Sequence, residues 1–353
     1  MNIVNWLACL FGGRPNRDHE AANSDFRKPP KTDVSVAEPE SWEASGCDEL
    51  AEPVCAVSSQ QVDDWFYPWL FECDAFEDLP LTPSETSLLN AFKQVAAGQR
   101  LSNQLVPRLP MVIPQVMRSL KDERMSGIQL ARQIAKDPVL VGEVIRVANS
   151  PYYRRARKIA SLEQAIVLLG RDGLQQLIAR VAFYPIFKLR GGHVIHQAAA
   201  RVWCQSEGCA LVCHCLAKRF EEDMFAAYLS GLVANLGLIV GLRLMDQQLA
   251  LGHDPLPRAA SFYREFIVLA RQLSQRIIED WSFPKEVIAA LSEQIEPDGE
   301  GAHSPLGRCL RLGERYSKLH LLIDKGHLSV GDFDAAALMA DPCYRRLLVE
   351  STA

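Results

Sequence analysis

Residues 137–174 read DPVLVGEVIRVANSPYYRRARKIASLEQAIVLLGRDGL, and this stretch decides the fold. Asp137-Pro138 places an acid at an N-cap and a proline at the first helical position, where its missing N–H costs nothing. The apolar run that follows predicts a helix to Ala148. Asn149 closes it, because asparagine tolerates the left-handed conformation that a C-terminal cap needs. Its amide is placed to bond neighbouring backbone groups and so pin the loop that runs to 160. Ser161-Leu162-Glu163-Gln164 has the capping-box form and opens a helix to Leu169. Gly170 stops that helix, and a further one is expected from Gly173 to Phe187.

The same grammar extends outward in both directions. Upstream, Thr82-Pro83-Ser84-Glu85 is a capping box with proline at its first helical position. Leu88, Leu89, Phe92 and Val95 then recur at helical spacing, and Gly98 ends the run. A helix is expected over 111–120, and Ser126-Gly127-Ile128-Gln129 opens another through Ile134. Downstream, long helices are expected at about 193–219, 223–250, 258–280 and 284–294, with more between 305 and 349 and a break at Asp341-Pro342. No alternation of polar and apolar residues persists, and no internal repeat is evident. The fold class is therefore all-α, a multi-helix domain with an irregular N-terminal arm.

The ends differ from this middle. Asn2 to Phe11, NIVNWLACLF, is too short for a membrane span, which needs roughly 20 apolar residues. Its arginines, Arg14 and Arg17, follow the run, opposite to a signal peptide. Two readings stay open for residues 1–13: a short interfacial anchor, with Cys9 as an acylation site, or a short helix docked on the protein. Residues 14–60 are rich in Pro, Ser, Ala and acids and read as a disordered linker. Residues 61–99 hold an acidic-aromatic arm, with Trp65, Phe66, Tyr67, Trp69, Phe71 and Phe76 among acids, and then the capped helix. Aromatics at that density either pack on the chain's own domain or bind another protein. The main helical domain spans 100–295, and 296–353 is a helical extension.

The chain has 353 residues, 48% of them hydrophobic, enough for a sizeable core. Its formal net charge of -5 argues against a generic nucleic-acid coat, which would be basic. The ten cysteines are scattered and show no disulfide framework, so reduced thiols in a cytosol are expected.

Four local patterns together resemble one family. They are Leu105-Val-Pro-Arg-Leu-Pro110-Met-Val-Ile; Ile134-Ala-Lys-Asp137-Pro138-Val-Leu; Val144-Ile-Arg146-Val-Ala148-Asn149-Ser150-Pro-Tyr152-Tyr153; and Ser161 to Gly170 followed by Gly173-Leu174. In that order and spacing they resemble the HDOD domain, a bacterial signalling relative of the HD phosphohydrolases. The resemblance covers roughly 100–295. It implies an all-α fold and a role in signal transduction, often beside cyclic-dinucleotide pathways.

The wider HD superfamily holds divalent metals with a first His, a His-Asp pair, further His residues and a late Asp. Imidazole and carboxylate suit such ions, which turn water into a nucleophile. By its own landmarks this chain departs from that pattern. Arg201-Val-Trp203-Cys204-Gln205-Ser206 resembles the stretch with the first His, and Gln205 stands at its place. Tyr228 to Gly237 resembles the stretch with the His-Asp pair, which here is Ala234-Asn235. Trp281-Ser-Phe-Pro284 precedes the later His positions, where Glu293-Gln294 stand. Near the late Asp, Glu314 is the nearest acid. Alanine has no donor atom, and the amides are poor ligands for a transition metal. The expectation is a degenerate site, no cofactor and no catalysis, with Gln205 and Asn235 hydrogen-bonding across the helix core.

Other constellations are weaker. Cys209 and Cys213 share a helix face, but Cys204 and Cys215 point elsewhere, and no Cys-x-x-Cys occurs. His193 and His196 read as a surface pair. Tyr152, Tyr153, Arg154, Arg155, Arg157 and Lys158, with Asn149 at their start, form the most distinctive surface candidate. They suit an acidic partner, a phosphate or base, or simply a solvated loop.

Function is expected to be non-catalytic regulation in the bacterial cytoplasm, or at the inner membrane face if residues 1–11 give a weak membrane association. The expected partner is another signalling protein in trans; self-association stays open, and nucleic acid is not the expected partner. The alternatives are an HD-type phosphohydrolase with atypical ligands and a metal-free nucleotide-binding module.

Overall fold

The computed structural model describes residues 57–98, 105, 135, 138–149, 159–189, 192–250, 256–295, 303–333 and 335–351. Its elements are α1 (Ser59–Leu70), α2 (Pro83–Ala96), α3 (Pro138–Ala148), α4 (Leu162–Phe187), α5 (His193–Ala217), α6 (Met224–Val233), α7 (Leu236–Ala250), α8 (Ala260–Asp280), α9 (Lys285–Ser292), α10 (Pro305–Asp324), α11 (Ala336–Ala340) and α12 (Pro342–Ser351). Among the described residues there is no strand, only an isolated bridge between Glu77 and Ala259. The expected helices at 111–120 and 126–134 lie outside the described residues.

The local signals act as expected. The Thr82 hydroxyl accepts from the Glu85 amide at 3.1 Å, and the Glu85 carboxylate accepts from the Thr82 amide at 2.8 Å. The Ser161 hydroxyl accepts from the Gln164 amide at 3.3 Å, while the Gln164 side chain reaches Ala160 N at 2.7 Å. Gly170 interrupts α4 with φ 69, a left-handed conformation that glycine adopts without a Cβ penalty. Asn149 donates to the carbonyls of Ile145 and Ile159 at 2.8 and 2.7 Å and accepts from Ile159 N at 2.8 Å. The loop between α3 and α4 is thus pinned at its two ends by one side chain.

Among the described residues, helix α5 is one against which several other helices pack. It packs on α6, α10, α7 and α12, while α7 packs on α8, α8 on α2, and α1 on α10. A large core joins these elements, and α3 and α4 add a smaller one around Val144, Ala165, Leu174 and Ile178. Segments outside the central stretch contribute fully: Phe66, Phe92, Tyr316 and Tyr344 are among the most deeply buried side chains.

The arm is therefore part of the core. It begins as helix α1, and Phe76 stacks on Tyr263 with ring centroids 3.7 Å apart. Arg201 lies over the Trp69 ring and donates to the carbonyls of Trp69 and Leu70. Of the two readings of the aromatic arm, packing on its own domain is the one observed.

Two expectations are corrected. The helix expected over 223–250 is two helices, broken at Ala234-Asn235; a continuous apolar run carries no signal of such a break. The stretch Met224–Leu249 is apolar and long enough to cross a membrane, but 89% of its most apolar window is buried inside this structure. Second, the expected reduced thiols do not hold for every cysteine. Cys215 and Cys343, 128 residues apart in sequence, form a disulfide between α5 and α12.

Candidate functional site

The positions that resemble a metal site converge where α5, the α6–α7 break and α10 meet. Gln205 is 1% exposed on α5, and Asn235 is 8% exposed at the break. The Asn235 amide donates to the Gln205 side-chain oxygen and to Ser206 Oγ, the latter at 3.0 Å. Gln205 Nε2 donates to Ser317 Oγ at 3.1 Å, and that hydroxyl donates to the Glu314 carbonyl at 3.0 Å. The result is a chain of neutral, mutually satisfied groups in the core. A buried polar group left without a partner would cost about 1–3 kcal/mol, so this closure stabilises the junction.

Glycines set the geometry. A Cβ on Gly231 would lie 2.6 Å from Ala210 N, so α6 crosses α5 backbone to backbone at that point. A Cβ on Gly237 would overlap the Ala270 carbonyl oxygen, and Gly237 N donates to Ser274 Oγ at 2.9 Å. The motif glycines on either side of Ala234-Asn235 are thus packing residues, which a folded frame needs whether or not it does chemistry.

Glu293 and Gln294 serve a different junction. Glu293 accepts from Ser304 N and Ser304 Oγ at 3.0 and 3.1 Å, just before α10. Gln294 donates to the carbonyls of Ala290 and Gly307 at 3.0 and 3.1 Å. Their hydrogen bonds tie α9 to α10 and do not reach Gln205 or Asn235. Ala234 offers no donor atom, and the Gln205 side-chain oxygen, the atom through which a carboxamide would ligate, already accepts from Asn235. These residues do not fit a divalent ion, and among the described residues no group of three or more His, Cys, Asp or Glu is placed to hold one.

The buried cysteines give no ligand set either. Cys209 and Cys213 stand 3.9 Å apart, and Cys309 Sγ donates to the Cys213 carbonyl at 3.2 Å. Burial pushes the Cys213 thiol well up and the Cys209 thiol up, which favours neutral packing groups over thiolates. His196 is exposed, and the side chain of His193 lies outside the described residues.

Sequence reasoning missed a buried ion cluster beside this junction. Asp63 on α1 accepts from Lys318 Nζ and from Arg271, each at 2.7 Å, and Glu314 stands 3.6 Å from Lys318. Burial pushes the Asp63 carboxyl up, but the charges and hydrogen bonds of Lys318 and Arg271 outweigh it and hold the group below the usual carboxylate range. Burial likewise opposes the charge on Lys318, and Asp63 reverses the balance, so its ammonium is held firmly protonated. Sequence reading also missed Ser206 and Ser317. Ser206 directly follows Gln205, and Ser317 lies three residues beyond Glu314.

Tyr152, Tyr153, Arg154, Arg155, Arg157 and Lys158 lie outside the described residues. Asn149 is described, and its carboxamide is taken up within the chain, so it sets the ends of that loop.

Comparison with known proteins agrees with this architecture. An HDOD domain model matches residues 106–297. An HDOD domain protein of unknown function from Geobacter sulfurreducens has a similar structure, with TM-score 0.52 at 18% identity over 68% of this chain and 79% of that one. A candidate metal-dependent phosphohydrolase from Shewanella amazonensis SB2B gives TM-score 0.50 at 19% identity over 74% of this chain and 96% of that one. An uncharacterised protein of Treponema pallidum (strain Nichols) is 22% identical over 140 residues, 38% of this chain but only 26% of that protein's length. With a family match over more than half its length, the chain belongs to the HDOD domain family.

Proposed function

We propose that this chain is a non-catalytic regulatory protein of bacterial signal transduction that acts by binding a protein partner in trans. The observation that carries the reading is the junction of Gln205, Asn235, Ser206 and Ser317, in which both polar atoms of the Gln205 side chain are engaged by Asn235 and Ser317. Hydrolysis of the HD type needs a metal-bound water with open coordination positions. Here the equivalent positions hold a residue without a donor and two amides engaged in the core. The retained glycines and tryptophans keep the shape of the domain, which is what a contact surface requires.

The loop bounded by Asn149 and Ile159 is the proposed contact element. Its sequence carries four cations and two tyrosines between ends fixed by the Asn149 amide. Four cations and two tyrosines in so short a stretch suit an acidic protein surface. In an affinity capture from the native host, the variant Arg154→Glu, Arg155→Glu, Arg157→Glu should lose its specific partner at least tenfold while melting at the wild-type temperature. Equal recovery of the partner by both chains would remove the loop from the account. A shortened chain for such work should begin near residue 53, because α1 and α2 are core elements.

A further inference from the structure

We propose that the Cys215–Cys343 disulfide is a reversible redox clasp, which holds the C-terminal helix on the central helix when oxidised and frees it when a dithiol reductant opens the bond. The inference goes beyond the contact-based reading and does not depend on it.

The placement of the cysteines carries the argument. Cys73, Cys204, Cys209, Cys213 and Cys309 are free. Cys209, Cys213 and Cys309 lie wholly within the core. The bonded pair is elsewhere: Cys215 is partly exposed in the last turn of α5, and Cys343 is in the first turn of α12. The bonded pair thus includes a residue at the protein surface, whereas Cys209, Cys213 and Cys309 are shut inside the core.

Helix α12 has ten residues, too few to hold a helix in water by itself. Its order depends on docking against α5, α10 and α11. Tyr344 packs edge-on against Tyr316 and His320, with centroids 5.8 and 6.1 Å away. Leu347 is 3% exposed and lies beside Gly208 of α5. Asp341 precedes the helix, pairs with Arg219 at 3.0 Å, accepts from the Tyr316 hydroxyl at 3.2 Å and caps Cys343 N at 2.7 Å. The disulfide is the one covalent tie in this set, and it sits where the helix begins.

Opening follows thiol–disulfide exchange. A thiolate of the reductant attacks the Cys215 sulfur, the S–S bond breaks, and Cys343 leaves as a thiolate that takes a proton. The reductant's second thiol then attacks the mixed disulfide, releasing Cys215 as a thiol and closing the reductant's own disulfide. Two electrons and two protons pass to the chain. Non-covalent contacts remain on α12 after the bond opens, among them those of Tyr344 and Leu347, the Asp341 ion pair and the Arg345 hydrogen bond to the Met339 carbonyl. When α12 lifts, an apolar strip of α5 and α10 around Gly208, Tyr316 and His320 becomes accessible.

The test uses the full-length chain, purified without reductant. After denaturation and alkylation with N-ethylmaleimide it should carry two fewer labels than the reduced chain, with the peptides of Cys215 and Cys343 linked. Hydrogen exchange read by mass spectrometry should show amides of 342–351 exchanging at least tenfold faster after reduction, and those of α7 unchanged. Cys343→Ser and Cys215→Ser should each exchange at the reduced rate without reductant and ignore its addition. If either variant fails to fold, the reduced wild-type chain gives the same reading. Free thiols at both positions after mild oxidation would overturn the proposal. So would a linked chain in which 342–351 exchange equally before and after reduction.

Discussion

Replacing Asp63 by alanine should unfold the chain well below the wild-type temperature. The carboxylate bridges α1 to α8 and α10 through two ionic hydrogen bonds of 2.7 Å, and its cationic partners are themselves buried, with side chains 4% exposed for Lys318 and 13% for Arg271. Removing one member of a buried ion cluster costs about 3–5 kcal/mol, chiefly because the remaining charges lose their compensation. A second route gives a similar ceiling. A lysine with an ordinary value near 10.4 pays about 4.6 kcal/mol to shed its proton at pH 7, so an unpaired Lys318 can escape at that cost. At about 2.1 cal/mol/K of unfolding entropy per residue over about 300 residues, a loss of 3–5 kcal/mol lowers the melting temperature by about 5–8 °C. The assay is thermal unfolding at pH 7.5, read by circular dichroism in 0.1 and 0.5 M NaCl. The shift should persist in high salt, because a buried cluster is poorly screened. The triple variant Asp63→Leu, Arg271→Met, Lys318→Met should melt close to wild type, since a well-packed apolar substitute removes the desolvation cost along with the attraction. A shift below about 2 °C for Asp63→Ala would refute the reasoning and place α1 outside the cooperative core.

Two further perturbations test other parts of the account. Asn235→Ala should cost about 1–3 kcal/mol, because Gln205 Oε1 and Ser206 Oγ lose their donor in the core, and denaturant unfolding would read it; a loss within error of zero would mean the junction is not closed. Acidification should destabilise the chain, because burial pushes His214 and His320 below their ordinary value of 6.5. The unfolded chain then binds more protons in the window below about 6.5, so stability holds above it and falls as pH drops toward the folded values. Melting temperatures at pH 7.5 and 5.5 check this, and His214→Gln with His320→Gln should flatten the dependence.

What was legible in the sequence was local. The Thr82–Glu85 box, the Gly170 stop and the Asn149 clamp each involve residues within about ten positions, where the chemistry of the backbone ends dictates the partner. The polar bond across the core between Gln205 and Asn235 could be anticipated because family-like landmarks brought the two stretches together. What was not legible was pairing between distant faces. Asp63 and Lys318 are 255 residues apart, Gln205 and Ser317 are 112 apart, and Cys215 and Cys343 are 128 apart. Periodicity tells which face of a helix is apolar and is silent about which face it meets. Nothing local distinguishes Asp63 from the other acids of the arm, yet it is the buried centre of an ion cluster.

The central claim is that the domain is kept for its shape, and metal content measured together with turnover tests it most directly. The full-length chain would be purified without chelator, supplied in turn with Mn²⁺, Fe²⁺ and Zn²⁺, desalted, and assayed by elemental mass spectrometry and against phosphomonoester, phosphodiester and cyclic-dinucleotide substrates. The account predicts well under one tightly held metal per chain and no hydrolysis above the uncatalysed rate with any ion. One tightly bound metal per chain, with turnover that Asn235→Ala abolishes, would contradict it.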